Sequence, residues 1–453
     1  MLKHAAVAGL GLPLAAQQQD TEAFRRMGET VVHRKIQPWF PKAGMGLFLP
    51  WGPCSVGEIE GGWGLFRDMR PPNKYWPVEK YMALADRFNP QNYDPEKWLV
   101  AAKHAGFKYT AFLLRHHDGY AMWPTEYGEF GTRQHMGGRD LVRPFVEACR
   151  RVGLKVCFCY SPTDWLFNPE GWPWRGFPLR DPEFKYRRPE RSQGLPRYAD
   201  MPIPQMQKYF DQLWAVVKGQ MSEVLTRYGK IDLFWWDGYD WPVGIDHHGQ
   251  ELENYVRKLQ PDIVLNDRNM LWDKGRTLGD YSTAFENRNP ADKPKGVWEQ
   301  CEAACGTWSY EGESPCKPAS YVIERLVRNR AWGGNYMVSF GPRPDGTMRP
   351  VFYEICRQMA GWMKHSGESV FDVEAGPYPE RCDVPVTIKG GTWYLHFLSP
   401  KKRTAALTGI KPPSSARRLR TGQPAPWKKD GNRVVVALPE NAPVEMDEVV
   451  AVS

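Results

Sequence analysis

The ten residues IDLFWWDGYD, residues 231–240, decide the fold class of this chain. Their apolar and aromatic run ends abruptly at Asp237, which Gly238 follows. A short apolar run bounded by a turn signal is typical of a strand buried on both faces, as in a parallel sheet. Because side chains alternate along a strand, Asp237 shares a face with Trp235 and Leu233. The sequence therefore predicts a buried parallel strand with a carboxylate at its carboxyl end.

The segments on both sides of this strand alternate between short apolar runs and helical patterns. The predicted strands are 44–51, 107–116, 154–161, 230–237, 262–268 and 335–342, and the predicted helices are 93–106, 140–153, 206–228, 251–260 and 319–331. This alternation indicates an α/β fold with a parallel sheet covered by helices. About seven such units favour a (β/α)8-like, TIM-type barrel. A doubly wound sheet would need a glycine-rich phosphate turn after the first strand, where this chain has PWGPCS.

The pattern changes after Ser366. The segments VPVTIKGGTWYLHFLS (384–399) and NRVVVALP (432–439) alternate in twos, which is typical of antiparallel strands. We therefore expect four parts. These are a signal peptide (1–16), a lead-in segment (17–43), a catalytic barrel (44–366) and a small C-terminal antiparallel β-sandwich domain (367–453).

The N-terminal sequence MLKHAAVAGLGLPLAAQQQ has the order of a secretory signal peptide. A short basic n-region containing Lys3 precedes an apolar run and then small residues. Cleavage near Ala16 would release a secreted or periplasmic protein that begins near Gln17. No other uninterrupted apolar run in the sequence is long enough to cross a bilayer.

Charge and cysteine content add weaker expectations. Residues 401–433 hold ten Lys or Arg and one acid, Asp430, within a chain of net charge +8. Such a segment could attract an acidic polysaccharide, or it could be a solvated basic face. No nucleic-acid-binding signature accompanies it, so we expect no nucleic acid partner. The nine cysteines contain no CxxC pair, and their spacing does not specify disulfide pairing.

Chemically capable side chains follow the predicted strand ends. In a (β/α) barrel the working residues lie on the loops after the strands. In chain order these positions hold Trp51, the run Arg115-His116-His117-Asp118, Tyr160, Asp237 and the pair Asp267-Arg268. Adjacent residues on a strand point to opposite faces, and the chain has no HExxH motif, so His116 and His117 do not predict a metal site.

Five segments carry a resemblance to a known family. They are KHAGFKYTAFLLRHHDGYAMWPT (103–125), KIDLFWWDG (230–238), VLNDR (264–268), VWEQCEAACGTWSY (297–310) and WGGNYMVSFGPRPDGT (332–347). In this order they resemble glycoside hydrolase family 29, the retaining α-L-fucosidases. The resemblance implies an exo-glycosidase with a barrel and a C-terminal β-sandwich, acting on fucosylated glycans without metal or organic cofactor.

The resemblance also implies roles for individual residues. Asp237 matches the nucleophile that forms the glycosyl-enzyme. The expected substrate-binding residues are Trp51, Trp63, His116, His117, Tyr160, Trp235 and Arg268. The acid/base is expected from the loop ahead of the WEQC motif, where Glu286 lies, with Glu299 as the runner-up. A loop carboxyl reaches the leaving oxygen from outside more readily than a strand carboxyl does.

The chain departs from the family at two sugar-contacting positions. FLPWG has Pro50 where members carry a histidine, and EGGW has Gly62 and Trp63 near a Glu-Trp pair, with Glu60 the nearest substitute. Lost hydrogen bonds to hydroxyls change sugar discrimination strongly. The expected activity is therefore an α-L-fucosidase, with an α-L-glycosidase on a fucose-like sugar such as an α-L-galactoside, or a non-catalytic glycan-binding relative, as alternatives. The oligomeric state is left open.

Overall fold

A computed structural model describes residues 36–65, 76–167, 202–238, 245–269 and 278–453. The predicted signal peptide and most of the predicted lead-in segment lie outside these ranges. The first eight strands are β1 (Met45–Leu49), β2 (Tyr109–Arg115), β3 (Cys157–Tyr160), β4 (Leu233–Trp236), β5 (Val264–Leu265), β6 (Ser282–Glu286), β7 (Trp298–Ala303) and β8 (Asn335–Ser339). The helices are α1 (Trp39–Ala43), α2 (Val78–Met82), α3 (Leu84–Arg87), α4 (Pro95–His104), α5 (Thr132–His135), α6 (Val142–Val152), α7 (Ile203–Arg227), α8 (Gly249–Leu259), α9 (Ala319–Ala331) and α10 (Pro350–Ser366).

The eight strands form one parallel sheet in the order β5-β4-β3-β2-β1-β8-β7-β6. An isolated parallel bridge between Asn266 and Tyr281 joins its two edges, which closes the ring. The prediction of a (β/α)8-like barrel is confirmed. In such a ring all carboxyl ends of the strands lie at one rim, and the loops that follow them share that rim.

Alternation along the strands divides the buried side chains into two layers. One apolar cluster fills the barrel interior, and a larger one lies between the sheet and the helices. Trp235 of β4 belongs to the interior cluster, whereas its neighbour Trp236 packs in the helix layer. Phe40 of α1 contacts the rings of Tyr109 and Tyr281 and so covers the amino-terminal end of the barrel.

The helix ends follow the expected sequence signals. Asp94 accepts a hydrogen bond from the backbone of Lys97 at 3.4 Å and caps α4, which begins at Pro95. Gly153 ends α6 in a left-handed conformation with φ 76°, where a side chain would be strained. Strands β6 and β7 lie in a region whose sequence pattern we read as less regular. Their polar character and the register shift between Ser282 and Phe285 hide the usual pattern.

The C-terminal region contains eight short strands: β9 (Glu374–Ala375), β10 (Val386–Lys389), β11 (Thr392–Phe397), β12 (Thr404–Thr408), β13 (Ala416–Arg418), β14 (Trp427–Asp430), β15 (Arg433–Ala437) and β16 (Glu448–Val452). They form antiparallel sheets of five strands (β13-β16-β11-β10-β9) and three strands (β12-β15-β14) around their own apolar cluster. The indole of Trp362 on α10 donates to the carbonyl of Asp447 at 3.0 Å and ties this region to the barrel.

A buried arginine connects three separate backbone segments. Arg330 of α9 is 1% exposed and donates to the carbonyls of Pro41, Gly334, Val370 and Val373 at 2.9–3.2 Å. These carbonyls belong to α1, the turn before β8 and the connection to the C-terminal region. A single guanidinium therefore satisfies buried acceptors from the segment before β1 and from the connection after α10.

Replacement of Arg330 by methionine is expected to lower the free energy of unfolding by roughly 3 kcal/mol or more, because four buried carbonyls lose a charged donor. Arg328→Met is the matched control on the same helix, since Arg328 is 40% exposed in its side chain and pairs with Glu324 at the surface. Thermal unfolding of both variants is the measurement. Equal midpoints for the two variants would contradict the role assigned to Arg330.

Half of the ten basic residues in the segment 401–433 form ion pairs. These pairs are Lys402–Asp383, Arg417–Glu368, Arg418–Glu448, Arg420–Glu445 and Arg433–Asp430. Four of these acids lie outside the segment, so the count along the sequence overstated its excess charge.

Two further features concern the chain as a whole. Cys305 and Cys316 form a disulfide within the loop after β7, a pairing that the sequence did not specify. Among the described residues, no helix combines the length and the apolar character that a bilayer span requires.

Candidate active site

Asp237 follows β4 at the carboxyl rim of the barrel, and two histidines meet it there. Its Oδ2 lies 3.5 Å from Nε2 of His116 and 3.4 Å from Nε2 of His117. Strand β2 ends at Arg115, so both histidines belong to the loop and their rings lie 4.4 Å apart. The expectation that these neighbours point to opposite faces is therefore wrong, because strand alternation stops where the strand does.

The electrostatics of this group favour an ionised carboxylate. Burial raises the pKa of Asp237, but the hydrogen bond from His116 and the interactions with His117, His116 and the Arg268 guanidinium outweigh burial and hold this pKa well below its usual range. Burial and the neighbouring His116 lower the pKa of His117 to about 3, so its imidazole is neutral. Asp237 is thus available as a nucleophile across the physiological pH range.

The backbone fixes which nitrogen of His116 carries its proton. The amide of Gly62 donates to Nδ1 at 3.1 Å, so in the neutral imidazole Nδ1 is unprotonated and Nε2–H points at Asp237. Burial opposes protonation of this ring, but the hydrogen bond to Asp237 and its charge outweigh burial and raise the pKa of His116. His116, His117 and Asp237 offer three possible ligand atoms within 4.8 Å of one another. When Nδ1 of a neutral imidazole accepts a hydrogen bond, the ring proton is on Nε2, which then has no lone pair for a metal ion. A metal-bound imidazole instead binds the metal with one nitrogen and donates a hydrogen bond from the N–H of the other. The donor set therefore does not fit a transition metal.

Arg268 links Asp237 to Glu286. Its Nη1 lies 3.7 Å from Oδ1 of Asp237 and forms an ion pair with Oε1 of Glu286, the last residue of β6. Since both oxygens contact one nitrogen, the two carboxyl groups lie close together. Close carboxyl groups, roughly 5–5.5 Å apart, are typical of retaining glycosidases, whereas inverting ones keep a wider gap for a water molecule.

Arg268 itself is held rigidly. The guanidinium is 1% exposed, donates to the hydroxyl and carbonyl of Thr283 at 2.8 Å, and lies 4.3 Å over the ring of Trp235. Three independent contacts fix its direction, so the positive charge between the two carboxylates is pre-organised.

Glu299 occupies a different place. It is the second residue of β7 and is 0% exposed in the barrel interior, where it accepts hydrogen bonds from Tyr109, Trp235 and Tyr281. Burial raises its pKa to about 7. A pKa near neutrality is typical of an acid catalyst, but a carboxyl enclosed by these three side chains has no path to a leaving group.

This raised pKa predicts a pH-dependent stability. Glu299 binds a proton more tightly in the folded protein than in the unfolded one, since its pKa rises from 4.5 to about 7. Its contribution is therefore complete below about pH 4.5 and is lost as pH rises through 7, by up to about 3 kcal/mol. Glu299→Gln is expected to remove this decline. Thermal unfolding of both proteins between pH 4.5 and 8 is the test, and parallel curves would contradict it.

Two tryptophans form an aromatic wall beside the histidines. Trp165 stacks on the imidazole of His117 with centroids 4.5 Å apart, and Trp63 meets Trp165 edge-on at 4.9 Å. The hydroxyl of Thr163 lies 2.6 Å from Nδ1 of His117. Trp63 was predicted from the sequence, whereas Trp165 and Thr163 were missed. Their position in SPTDW, directly after β3, is the signal that could have identified them.

Two predicted substrate contacts do not reach this site. Trp51 is 2% exposed, donates to the carbonyl of Arg343 at 3.0 Å and packs among helix-layer aromatics. Tyr160 is 0% exposed, and its hydroxyl accepts from Arg115 at 2.8 Å and donates to Gln220 at 2.7 Å. Both side chains point from the strand ends toward the helices, so the prediction that they contact sugar is corrected.

The departure at Gly62 lies beside His116 and Trp165. A methyl group on Gly62 would lie 3.1 Å from the ring of Trp165, and one on Gly61 would lie 2.5 Å from Nδ1 of His116. Gly61 also has φ +45°, which disfavours side chains. Glycine at both positions therefore lets this turn touch His116 directly, while Pro50 is buried.

Comparison with known proteins agrees with this geometry. The family profile of alpha-L-fucosidase matches residues 12–368. The chain is 25% identical over 436 residues to the tissue alpha-L-fucosidase of Mus musculus, covering 90% of this chain and 89% of that protein. It is 25% identical over 448 residues to the plasma alpha-L-fucosidase of Homo sapiens, covering 91% and 88%.

Solved structures show the same fold. Alpha-L-fucosidase isoenzyme 1 from Paenibacillus thiaminolyticus superposes with a TM-score of 0.75 at 25% identity, covering 95% of this chain and 99% of that one. A fucosidase from Bacteroides thetaiotaomicron trapped as a covalent intermediate superposes with a TM-score of 0.76 at 24% identity, covering 94% and 98%. Since the profile spans most of the chain, this protein belongs to the alpha-L-fucosidase family of glycoside hydrolases.

Proposed function

We propose that this chain is an exo-acting, retaining α-L-fucosidase that hydrolyses terminal α-L-fucosyl residues of glycans by double displacement. The observation that carries the proposal is the pair of carboxylates on one guanidinium: Asp237 and Glu286 both contact Nη1 of Arg268 at the carboxyl rim. Family membership supports fucose as the sugar, and the pair of carboxylates supports a retaining double displacement as the reaction.

The residues then take defined steps. Asp237 attacks the anomeric carbon while Glu286 protonates the leaving oxygen, which forms a glycosyl-enzyme. Glu286 next removes a proton from water, and that water releases the sugar with net retention. The N–H of His116 and the guanidinium of Arg268 stabilise Asp237 as a carboxylate before attack and after release.

The substrate is a fucosylated oligosaccharide or polysaccharide. The tight Gly61–Gly62 turn and Pro50 replace two hydrogen-bonding side chains of related enzymes, which leaves an α-L-galactoside or a purely glycan-binding role as competing functions. The pair on Arg268 favours catalysis, because double displacement requires two neighbouring carboxyl groups, whereas binding of a glycan does not.

A panel of chromogenic glycosides tests the proposal. Release of nitrophenol from the α-L-fucoside, faster than from the α-L-galactoside and absent with the β-D-galactoside, is expected. The first anomer formed should be α-L-fucose by proton NMR, before mutarotation. Faster cleavage of the α-L-galactoside than of the α-L-fucoside would show that the enzyme acts on α-L-galactosides instead of α-L-fucosides. Binding of fucosylated glycans without turnover would leave only the glycan-binding role.

We also propose that the protein is exported, on the strength of the residues before Gln17. In a bacterial host with its own export pathway, the exported protein is expected to lack residues 1 to about 16. Intact-mass measurement of the periplasmic and medium fractions checks this. An exported protein that retains Met1, or protein confined to the cytoplasm, would contradict it.

A further inference from the structure

The turn at Gly61 and Gly62 contacts His116 on the side away from the nucleophile. These glycines begin a 3-10 helix, Gly61–Leu65, and the amide of Gly62 donates to Nδ1 of His116 at 3.1 Å. The opposite ring nitrogen faces Asp237. The position of one backbone N–H therefore decides whether the imidazole presents a donor or a lone pair to Asp237.

A buried pair of polar side chains anchors this turn from behind. The hydroxyl of Tyr81 on α2 lies 2.8 Å from the carbonyl of Gly61 and 2.5 Å from Oδ2 of Asp118. Tyr81 is 0% exposed and Asp118 is 3% exposed, and the amide of Tyr120 donates to Oδ1 of Asp118 at 3.2 Å. Neither side chain touches Asp237 or the rim that faces solvent.

The Tyr81 hydroxyl has two acceptors within reach. It donates toward both the carbonyl of Gly61 and Oδ2 of Asp118, so the two acceptors share one proton in a three-centre hydrogen bond. The chain Asp118–Tyr81–Gly61 then fixes the turn that presents the amide of Gly62.

We propose that Asp118 and Tyr81 are positioning residues that hold His116 in the Nε2–H tautomer through the Gly61–Gly62 turn. Without the anchor the turn moves, Nδ1 loses its donor, and the alternative tautomer turns a lone pair toward the Asp237 carboxylate. The nucleophile then loses one of its hydrogen-bond donors and its direction of attack. The kinetic part of this inference rests on the proposed function, whereas the tautomer does not.

The tautomer of His116 can be measured by NMR without any enzymatic turnover. In protein labelled with [15N]histidine, the side-chain signals of His116, assigned by their absence in His116→Gln, are expected to show an unprotonated Nδ1 and a protonated Nε2. Tyr81→Phe keeps the ring and removes the anchor, so a mixture of tautomers or a protonated Nδ1 is expected. An unchanged Nε2–H tautomer in Tyr81→Phe would overturn the proposal.

Kinetics with matched variants separate positioning from folding. Tyr81→Phe is expected to lower kcat on an aryl α-L-fucoside roughly 10- to 100-fold with a smaller change in KM. Tyr120→Phe is the control, because the buried Tyr120 hydroxyl has no hydrogen-bond partner among the described residues. Asp118→Asn, whose amide oxygen can still accept from Tyr81, is expected to lose less activity than Asp118→Ala.

The outcomes distinguish the two proposals. A tautomer shift in Tyr81→Phe from a wild type that cleaves no fucoside would support the anchor and reject the fucosidase. Equal losses in Tyr81→Phe and Tyr120→Phe, in step with their unfolding temperatures, would reject the anchor and keep the fucosidase. Equal activity of Asp118→Asn and Asp118→Ala would also reject the anchor.

Discussion

Asp237→Gly is expected to lower kcat/KM on an aryl α-L-fucoside by roughly 10⁴-fold or more, the scale seen when a nucleophile is removed from a covalent mechanism. The carboxylate is ionised and fixed between His116, His117 and Arg268, and no other described acid lies in the same place. Added azide fits the space of the missing carboxyl and is expected to restore turnover, with the β-glycosyl azide as product, because it enters from the side of the missing nucleophile.

The control for this variant lies on the same strand segment. Asp232, just before β4, accepts from the amide of Val156 and from Lys155, both at 3.0 Å, at the amino-terminal end of the barrel. Asp232→Asn is expected to cost stability while keeping kcat close to wild type. An α-azide from Asp237→Gly, or activity within tenfold of wild type, would remove Asp237 from the nucleophile role.

The alternation of side chains along a strand correctly predicted which face of β4 lies inside the barrel. It placed Asp237 on the face of Trp235, and the structure has Trp235 in the barrel interior directly below the rim. The same rule applied to Tyr160 would have placed it outside. Tyr160 pairs in register with Trp236, which packs against the helices. Knowing that a residue lies at the end of a strand was therefore not enough to predict a substrate contact. Whether its side chain points into the barrel or toward the helices depends on the alternation along the strand.

Other features could not be read from strand patterns. The Gly61–Gly62 turn and Trp165 lie on loops, whose backbone direction depends on contacts from distant segments such as Tyr81. The ion-pair partners of the segment 401–433, such as Asp383 and Glu448, are also remote in sequence and could not be identified from it. Local sequence specifies elements and their faces, whereas these pairings arise only when the chain is folded.

Glu286→Ala is expected to slow cleavage of substrates with poor leaving groups by roughly 10²- to 10⁴-fold, the usual contribution of general acid catalysis. An activated aryl fucoside needs little protonation, so its first step should be affected far less. Added azide, which needs no general base, is expected to accelerate release of the glycosyl-enzyme and give the α-glycosyl azide. Product analysis by NMR and rates with two leaving groups provide the measurement.

Glu299→Gln decides between the two candidate acids. Glu299 lies near the amino-terminal end of the interior and is closed off by Tyr109, Trp235 and Tyr281, whereas the Glu286 side chain is 41% exposed at the carboxyl rim. Loss of Glu299 is therefore expected to act through stability and through the ring of Trp235, equally for all leaving groups and without azide rescue. If Glu299→Gln gives the leaving-group dependence and the α-azide while Glu286→Ala keeps full activity on a natural disaccharide, the two roles must be exchanged. That exchange would require Glu299 to reach the rim, so the barrel interior around Tyr109 would have to open during turnover.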